Sequence, residues 1–176
     1  QTSTFDERRK TRLDAISHSY DKLKKSITQL STLDKASAAD ATKKLDAYIG
    51  QLQAVEDQKV TLDEIKRLES ELDDQQKLRE NGLKKEQALY DSGLITQEQF
   101  LANTADIVKR GDSAITTAAS DLQAFVDAAV KARAGILTLT QQSEIGTKTS
   151  TATAAASNSD RTINDEINKA QEAAID

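Results

Sequence analysis

Not one proline interrupts this chain, and only six glycines are scattered through its 176 residues. Proline is the strongest helix breaker and glycine the next, so little stops a helix once it has begun. The chain is therefore expected to be all-α, built from long amphipathic helices. Its buried surface has to come from Leu, Ile, Val and Ala, because there are three Phe, three Tyr and no Trp, too few aromatics for a thick globular core. The length suits one ordinary domain or a piece of something longer. The chain opens on Gln1 and contains no Met, which suggests a segment of a longer gene product or a processed one.

Leu13, Ile16, Tyr20, Leu23, Ile27 and Leu30 are spaced three, four, three, four and three residues apart. This heptad seam can be buried only against another helix or another copy of itself. His18 falls on the opposite, solvated side. Around Thr32 to Ala36 the seam slips, which predicts a bend or loop, and Ser37 with Asp40 reads as the following helix start. A second seam of Leu45, Tyr48, Leu52 and Val55 resumes, with Gly50 as a tolerated weak point.

Two places carry a capping box, in which a Thr hydroxyl accepts the backbone N–H three residues on and the acid or amide there reaches back. The first pairs Thr61 with Glu64, with Val60 against Ile65 as a hydrophobic staple; the second pairs Thr96 with Gln99, with Ile95 against Phe100. Their offset of 35 residues raises the possibility of a degenerate helical repeat. Between them Ile65, Leu68, Leu72 and Leu78 mark a helix face, and Asn81-Gly82 reads as a kink or stop. Ser92-Gly93 supplies the glycine that ends one helix just before Thr96 starts another, and connections this short fold neighbouring helices back antiparallel. A helical hairpin with its tip at Gly93 is expected.

Beyond Thr96 the seam is Leu101, Val108, Ile115, Ala118, Leu122, Phe125 and Ala129, with Ala, Ser and Thr filling the other positions. Ile136 to Leu139, bracketed by Gly135 and Gly146, reads either as helix or as a short extended piece, since Thr and Ile favour strands. Residues 147 to 159 are low-complexity and small, which suits a linker or a helix held only by a partner. Asp160 then caps a last helix carrying Ile163, Ile167, Ala170 and Ala174. The expected organisation is an elongated helical coiled-coil or bundle region over 1–146, a linker over 147–159 and a short helix over 160–176.

Chemistry can be tested by subtraction. With no Cys and one His, disulfides, thiolate sites and most metal or acid–base arrangements are excluded. Neither serine beside His18 sits in a glycine elbow, and no phosphate-cradling or calcium loop occurs. Paired acids such as Asp63-Glu64 and Asp73-Asp74 are expected to be solvated and matched by Lys66, Arg67 or Lys77 one turn away. No catalytic, cofactor or metal residue is assigned. The net charge is −5, and residues 1–90 carry 17 charges of each sign, which offers phosphate no concentrated positive stripe. No apolar run reaches the roughly 18 residues that a membrane span requires. The expected partners are helices of the same chain or of a homo-oligomer.

The stretch Glu86 to Leu101, Glu-Gln-Ala-Leu-Tyr-Asp-Ser-Gly-Leu-Ile-Thr-Gln-Glu-Gln-Phe-Leu, resembles a recurrent phrase in tape measure proteins of long-tailed, siphovirus-type phages: a helix ending in Leu-Tyr-x-x-Gly, then Leu-Ile-Thr/Ser-x-Glu and a second helix. The charged helix before it and the Ala/Thr-rich helix after it are similar to that family too. The resemblance implies a noncatalytic segment of a much longer helical protein that fills the tail tube, sets tail length and leaves as DNA is delivered. Its partners would be tail tube and assembly proteins, and its location the virion tail interior. The other reading is a bacterial or secreted helical interaction module, an adaptor, adhesin stalk or helical body of a toxin, in the bacterial cytoplasm or outside the cell.

Overall fold

The computed structural model describes residues 3–173, which form five helices: α1 Phe5–Ser19, α2 Asp21–Leu30, α3 Lys35–Asp91, α4 Gln97–Ala132 and α5 Leu139–Ala173. The fold is all-α, with no strand among the described residues. The chain divides into two units, Gln1–Glu64 and Ile65–Asp176, with the boundary inside α3.

In the first unit a capping box opens α1. The Thr4 hydroxyl accepts the Glu7 N–H (3.3 Å), and the Glu7 carboxylate accepts the Thr4 N–H (2.8 Å). The heptad seam of Leu13 to Leu30 is not one helix. At Tyr20 the backbone leaves the helical region (φ −103°, ψ 8°) and α2 starts afresh. Just before the break the Ser19 hydroxyl donates to the Ile16 carbonyl (2.7 Å), the local side-chain bond by which serine competes with a helix ladder.

After α2 the chain reverses through Ser31 to Asp34. The Asp34 carboxylate accepts the N–H groups of Ala36 and Ser37 (3.1 Å each) and the Ser37 hydroxyl (2.7 Å). Asp34 is therefore the cap of α3, and Ser37, expected to start that helix, is its third residue. The Ser37 hydroxyl, followed by the backbone N–H groups, holds the Asp34 carboxyl below its ordinary range. Across the reversal α1 and α2 run antiparallel to α3. Tyr20 meets Tyr48 edge-on with ring centroids 5.9 Å apart, and the Gln53 side chain donates to the Leu13 carbonyl (2.9 Å).

The second seam needs correction. Leu45 is buried and Leu52 half-buried, but Tyr48 and Val55 are exposed, and Ala38, Ile49 and Val60 are buried instead. The packed face runs through Leu45, Ile49 and Leu52, so a seam stepped by three from Leu45 falls one residue out of phase, although Tyr48 still meets Tyr20 edge-on. Thr61 is no helix start either. It lies buried in mid-helix, and its hydroxyl donates to the Asp57 carbonyl one turn back (2.8 Å). With the hydroxyl satisfied by its own helix, the capping signature needs no interruption, and the proposed 35-residue repeat loses one of its two members.

The second unit is a three-helix arrangement of the latter part of α3 with α4 and α5. Along the α3/α4 hairpin Tyr90 stacks on Phe100 (4.8 Å), Glu86 accepts from Asn103 (3.0 Å), Gly82 faces Ile107, and Arg79 pairs with Asp112 (3.1 Å). Residues move up one helix as they move down the other, so the register is antiparallel. Asn81-Gly82 is not a stop. A Cβ on Gly82 would sit 3.2 Å from Ile107 Cγ2, so the glycine serves close helix approach within an uninterrupted α3. On α5, Thr149 donates to Gln123 of α4 (3.0 Å), and Lys148 reaches Asp73 of α3 (3.0 Å).

The core of this unit is aliphatic: Leu72, Val108, Ile115, Leu122 and Val126 are the largest fully buried side chains. Phe125, expected on the seam, is half-buried, and Val126 beside it takes the inner position. Residues 147–159 are not a linker but part of α5, with Ile145, Thr149, Ala152 and Ala156 buried at heptad spacing. Asp160 accordingly lies inside a helix rather than at its start. The side chains of Ile163, Ile167, Ala170 and Ala174 lie outside the described residues.

Candidate helix-pairing surface

Two connectors turn the chain in the second unit, and both combine a left-handed glycine with a capping box. At the first, Gly93 takes left-handed backbone (φ 70°), its N–H donates to the Tyr90 carbonyl (2.9 Å), and the Leu94 N–H donates to the Leu89 carbonyl (3.0 Å). This is a Schellman ending, which closes carbonyls that the helix leaves open. Thr96 then accepts the Gln99 N–H (3.2 Å) while Gln99 accepts the Thr96 N–H (2.9 Å).

At the second connector Gly135 is again left-handed (φ 83°), and Thr138 and Gln141 exchange the same two bonds at 3.1 and 2.9 Å. The sequences are Gly-Leu-Ile-Thr-x-x-Gln from Gly93 and Gly-Ile-Leu-Thr-x-x-Gln from Gly135, 42 residues or six heptads apart. This pair, not Thr61 with Thr96, is the internal repetition in the chain. A glycine, two aliphatics, a threonine and a glutamine three residues later would have found it. The strand reading of Ile136 to Leu139 hid it, because the same aliphatic and threonine residues serve both.

The expected seam residues gather in part. Ile115 and Leu122 face the core of the second unit and Leu45 that of the first. Leu13, Ile16, Tyr20 and Ile27 are half-buried, whereas Leu23 and Leu30 are exposed. Apolar surface thus remains on α2.

Further features that sequence reasoning missed are ionic. α1 lies on α3 through three arginines: Arg8 meets Glu64 (3.0 Å), Arg9 grips both oxygens of Asp57, and Arg12 approaches Glu56 and Asp63 (3.7 and 3.8 Å). Glu64, expected to bond its own helix start, is a buried acid paired with α1. Asp63 and Glu64 are therefore matched across helices, while Arg67 pairs within its own helix to Glu71 (3.2 Å). No periodicity in the sequence signals such a pairing, since each residue alone reads as a solvated charge.

In the second unit the Arg79–Asp112 pair is nearly enclosed, with side chains 14% and 11% exposed. Gly111 makes room for it, since a Cβ there would lie 2.8 Å from Arg79 Cδ and 2.9 Å from Cγ. Gly50, also helical, has nothing within 4 Å of the equivalent point. Gly50→Ala should raise stability by about 0.5–1 kcal/mol, the propensity difference in a helix. Gly111→Ala should forfeit that gain by displacing Arg79 and lower the melting temperature below that of the parent chain. Paired thermal melts check both signs.

His18 is exposed, with Nδ1 3.3 Å from an Asp21 oxygen. Among the described residues no group of three His, Asp or Glu could hold a metal ion, and no helix is long and apolar enough to cross a membrane. Between α4 and α5 runs an open groove walled by small residues such as Ala119, Ser120, Thr153 and Ala154. Compared with known protein families, with curated proteins and with solved structures, the chain matches none. What the geometry offers chemically is helix against helix: aliphatic seams, matched charges, and turns of fixed form.

Proposed function

We propose that this chain is a noncatalytic structural segment of a phage tail tape measure protein, acting through helix–helix association with tail components inside the virion tail. The observation that carries the reading is the Leu89 to Gln99 connector. The phrase that resembles the tape measure family is helix, glycine turn and capped helix in this chain, with its Schellman ending and reciprocal Thr96/Gln99 bonds. A second left-handed glycine followed by a Thr/Gln capping box six heptads later supports a chain whose length is counted in helical modules. A helix rises about 1.5 Å per residue, so added residues translate into added length in any extended working form.

The test is to insert one further 42-residue block, in frame, into the gene that carries this segment. Tails measured by electron microscopy should lengthen by about 63 Å at the helical rise. Tails of unchanged length would sink the reading and favour a helical interaction module of bacterial or secreted type.

A further inference from the structure

The first reversal of the chain differs in kind from the two connectors of the second unit. Those are held by left-handed glycines, whereas Ser31 to Asp34 contains neither glycine nor proline, and none of its residues has positive φ. Ser31 itself stays in the right-handed helical region (φ −61°, ψ −21°). The turn is closed by the Asp34 cap and by the N–H bonds of Thr32 to Gln29 (3.2 Å) and Leu33 to Leu30 (2.9 Å), and none of its residues is locked in the left-handed region.

The arm beyond the turn is also held differently. Neither α1 nor α2 contains a buried residue, and α1 is gripped by ion pairs as well as by the Gln53 bond to the Leu13 carbonyl. The acidic face of α3 is defined by the helix seated on it. The Asp57 side chain is 4% exposed and takes two N–H bonds from Arg9, and Glu64, at 9%, takes one from Arg8. Contacts of this kind are specific in partner and weakened by salt.

We propose that the acidic face of α3 formed by Glu56, Asp57, Asp63 and Glu64 is an exchange site for the α1–α2 arm, filled by the chain's own α1 in the isolated molecule and by the arm of a second copy in the assembly. The occupant follows from charge complementarity, since each copy carries both the three arginines and the four acids at the same spacing. Two copies that open at Ser31–Asp34 and trade arms satisfy each other reciprocally about a two-fold axis, which closes the assembly at a dimer. The register that sets Tyr20 over Tyr48 and Leu13 over Gln53 puts that axis near Asp34. The exposed Leu33 of each copy then comes to the same crossing point. The proposal rests on the reading that this segment works by helix pairing and names one of its partners.

Charge reversal tests it in the full chain. Arg9→Asp and Asp57→Arg each set like charges against each other within one chain. In a mixture, arms traded between the two variants meet opposite charges at both sites. Sedimentation of the equimolar mixture should show a heterodimer at least tenfold tighter than either variant's self-association. The double variant R9D/D57R, which restores the pair within one chain, should behave like the parent. A mixture that stays monomeric at about 1 mM, a concentration typical of intramolecular closure, overturns the proposal. Should either single variant lose its helical circular dichroism, isotope-labelled and unlabelled parent chains are instead mixed in 1 M NaCl and returned to low salt. Mixed-mass dimers by native mass spectrometry support exchange, and their absence overturns it. Failure here leaves the tail-length test untouched, because that test does not involve α1.

Discussion

Truncating Leu122 to alanine should lower the stability of the unit formed by residues 65–176 by about 2–5 kcal/mol, the range for a buried leucine whose site collapses only partly. Leu122 is 0% exposed, and of the neighbouring positions on α4 the buried ones include Ala118 and Ala119. Small residues have no spare side chain to swing into the space, so the upper half of the range is expected. Leu94→Ala at the hairpin tip, where the leucine is 72% exposed, should change stability by no more than about 0.5 kcal/mol. Urea unfolding followed at backbone amides of α4 measures both. A Leu122→Ala loss no larger than that of Leu94→Ala would mean that α4 does not form the core described.

The second large effect is expected at Arg79 and Asp112. Replacing Asp112 with alanine should cost about 3–5 kcal/mol, because an arginine is left enclosed without its carboxylate. Replacing the pair together by Arg79→Met and Asp112→Leu should recover most of that loss, since apolar side chains of similar volume need no partner. The channel left by Gly111 already takes the aliphatic stem of Arg79, and a methionine follows the same path. A double-mutant cycle in urea gives the coupling directly. Additive losses would show that the two side chains are held independently, contrary to the 3.1 Å contact between them.

The helical class was legible from the missing prolines, and the Gly93–Thr96 connector from glycine, threonine and glutamine at fixed offsets. These are local signals, in which the backbone conformation of a residue or two decides the outcome. Thr61 shows their limit. The same Thr-x-x-Glu that caps a free helix end also sits comfortably inside a helix when the hydroxyl bonds the carbonyl one turn back. Asp34 and Ser37 can both cap a helix, and which of them does so depends on where α2 ends.

Residues 147–159 have little intrinsic reason to pack. They are helical because Thr149, Ala152 and Ala156 are small enough to lie close against α4, where Gln123 receives the Thr149 hydroxyl. Tertiary packing decided that segment. The arginine ladder of α1 and the Arg79–Asp112 pair were invisible for a related reason. A charged residue declares its partner only once two helices are set in register, and register is a property of the whole hairpin.

Among the described side chains of α5, the buried positions go from Ile145 through Thr149 to the alanines Ala152 and Ala156. From Ile145 to Ala156 the buried side chains remove less hydrocarbon from water, so this stretch is fastened more firmly at Ile145 than at Ala156. Hydrogen exchange of its amides should follow that taper, fast at Ala156 and slow at Ile145. A strand of rope lashed at one end can be peeled without disturbing the knot, and residues 145–156 are poised to let go of α4 turn by turn, from Ala156 back towards Ile145.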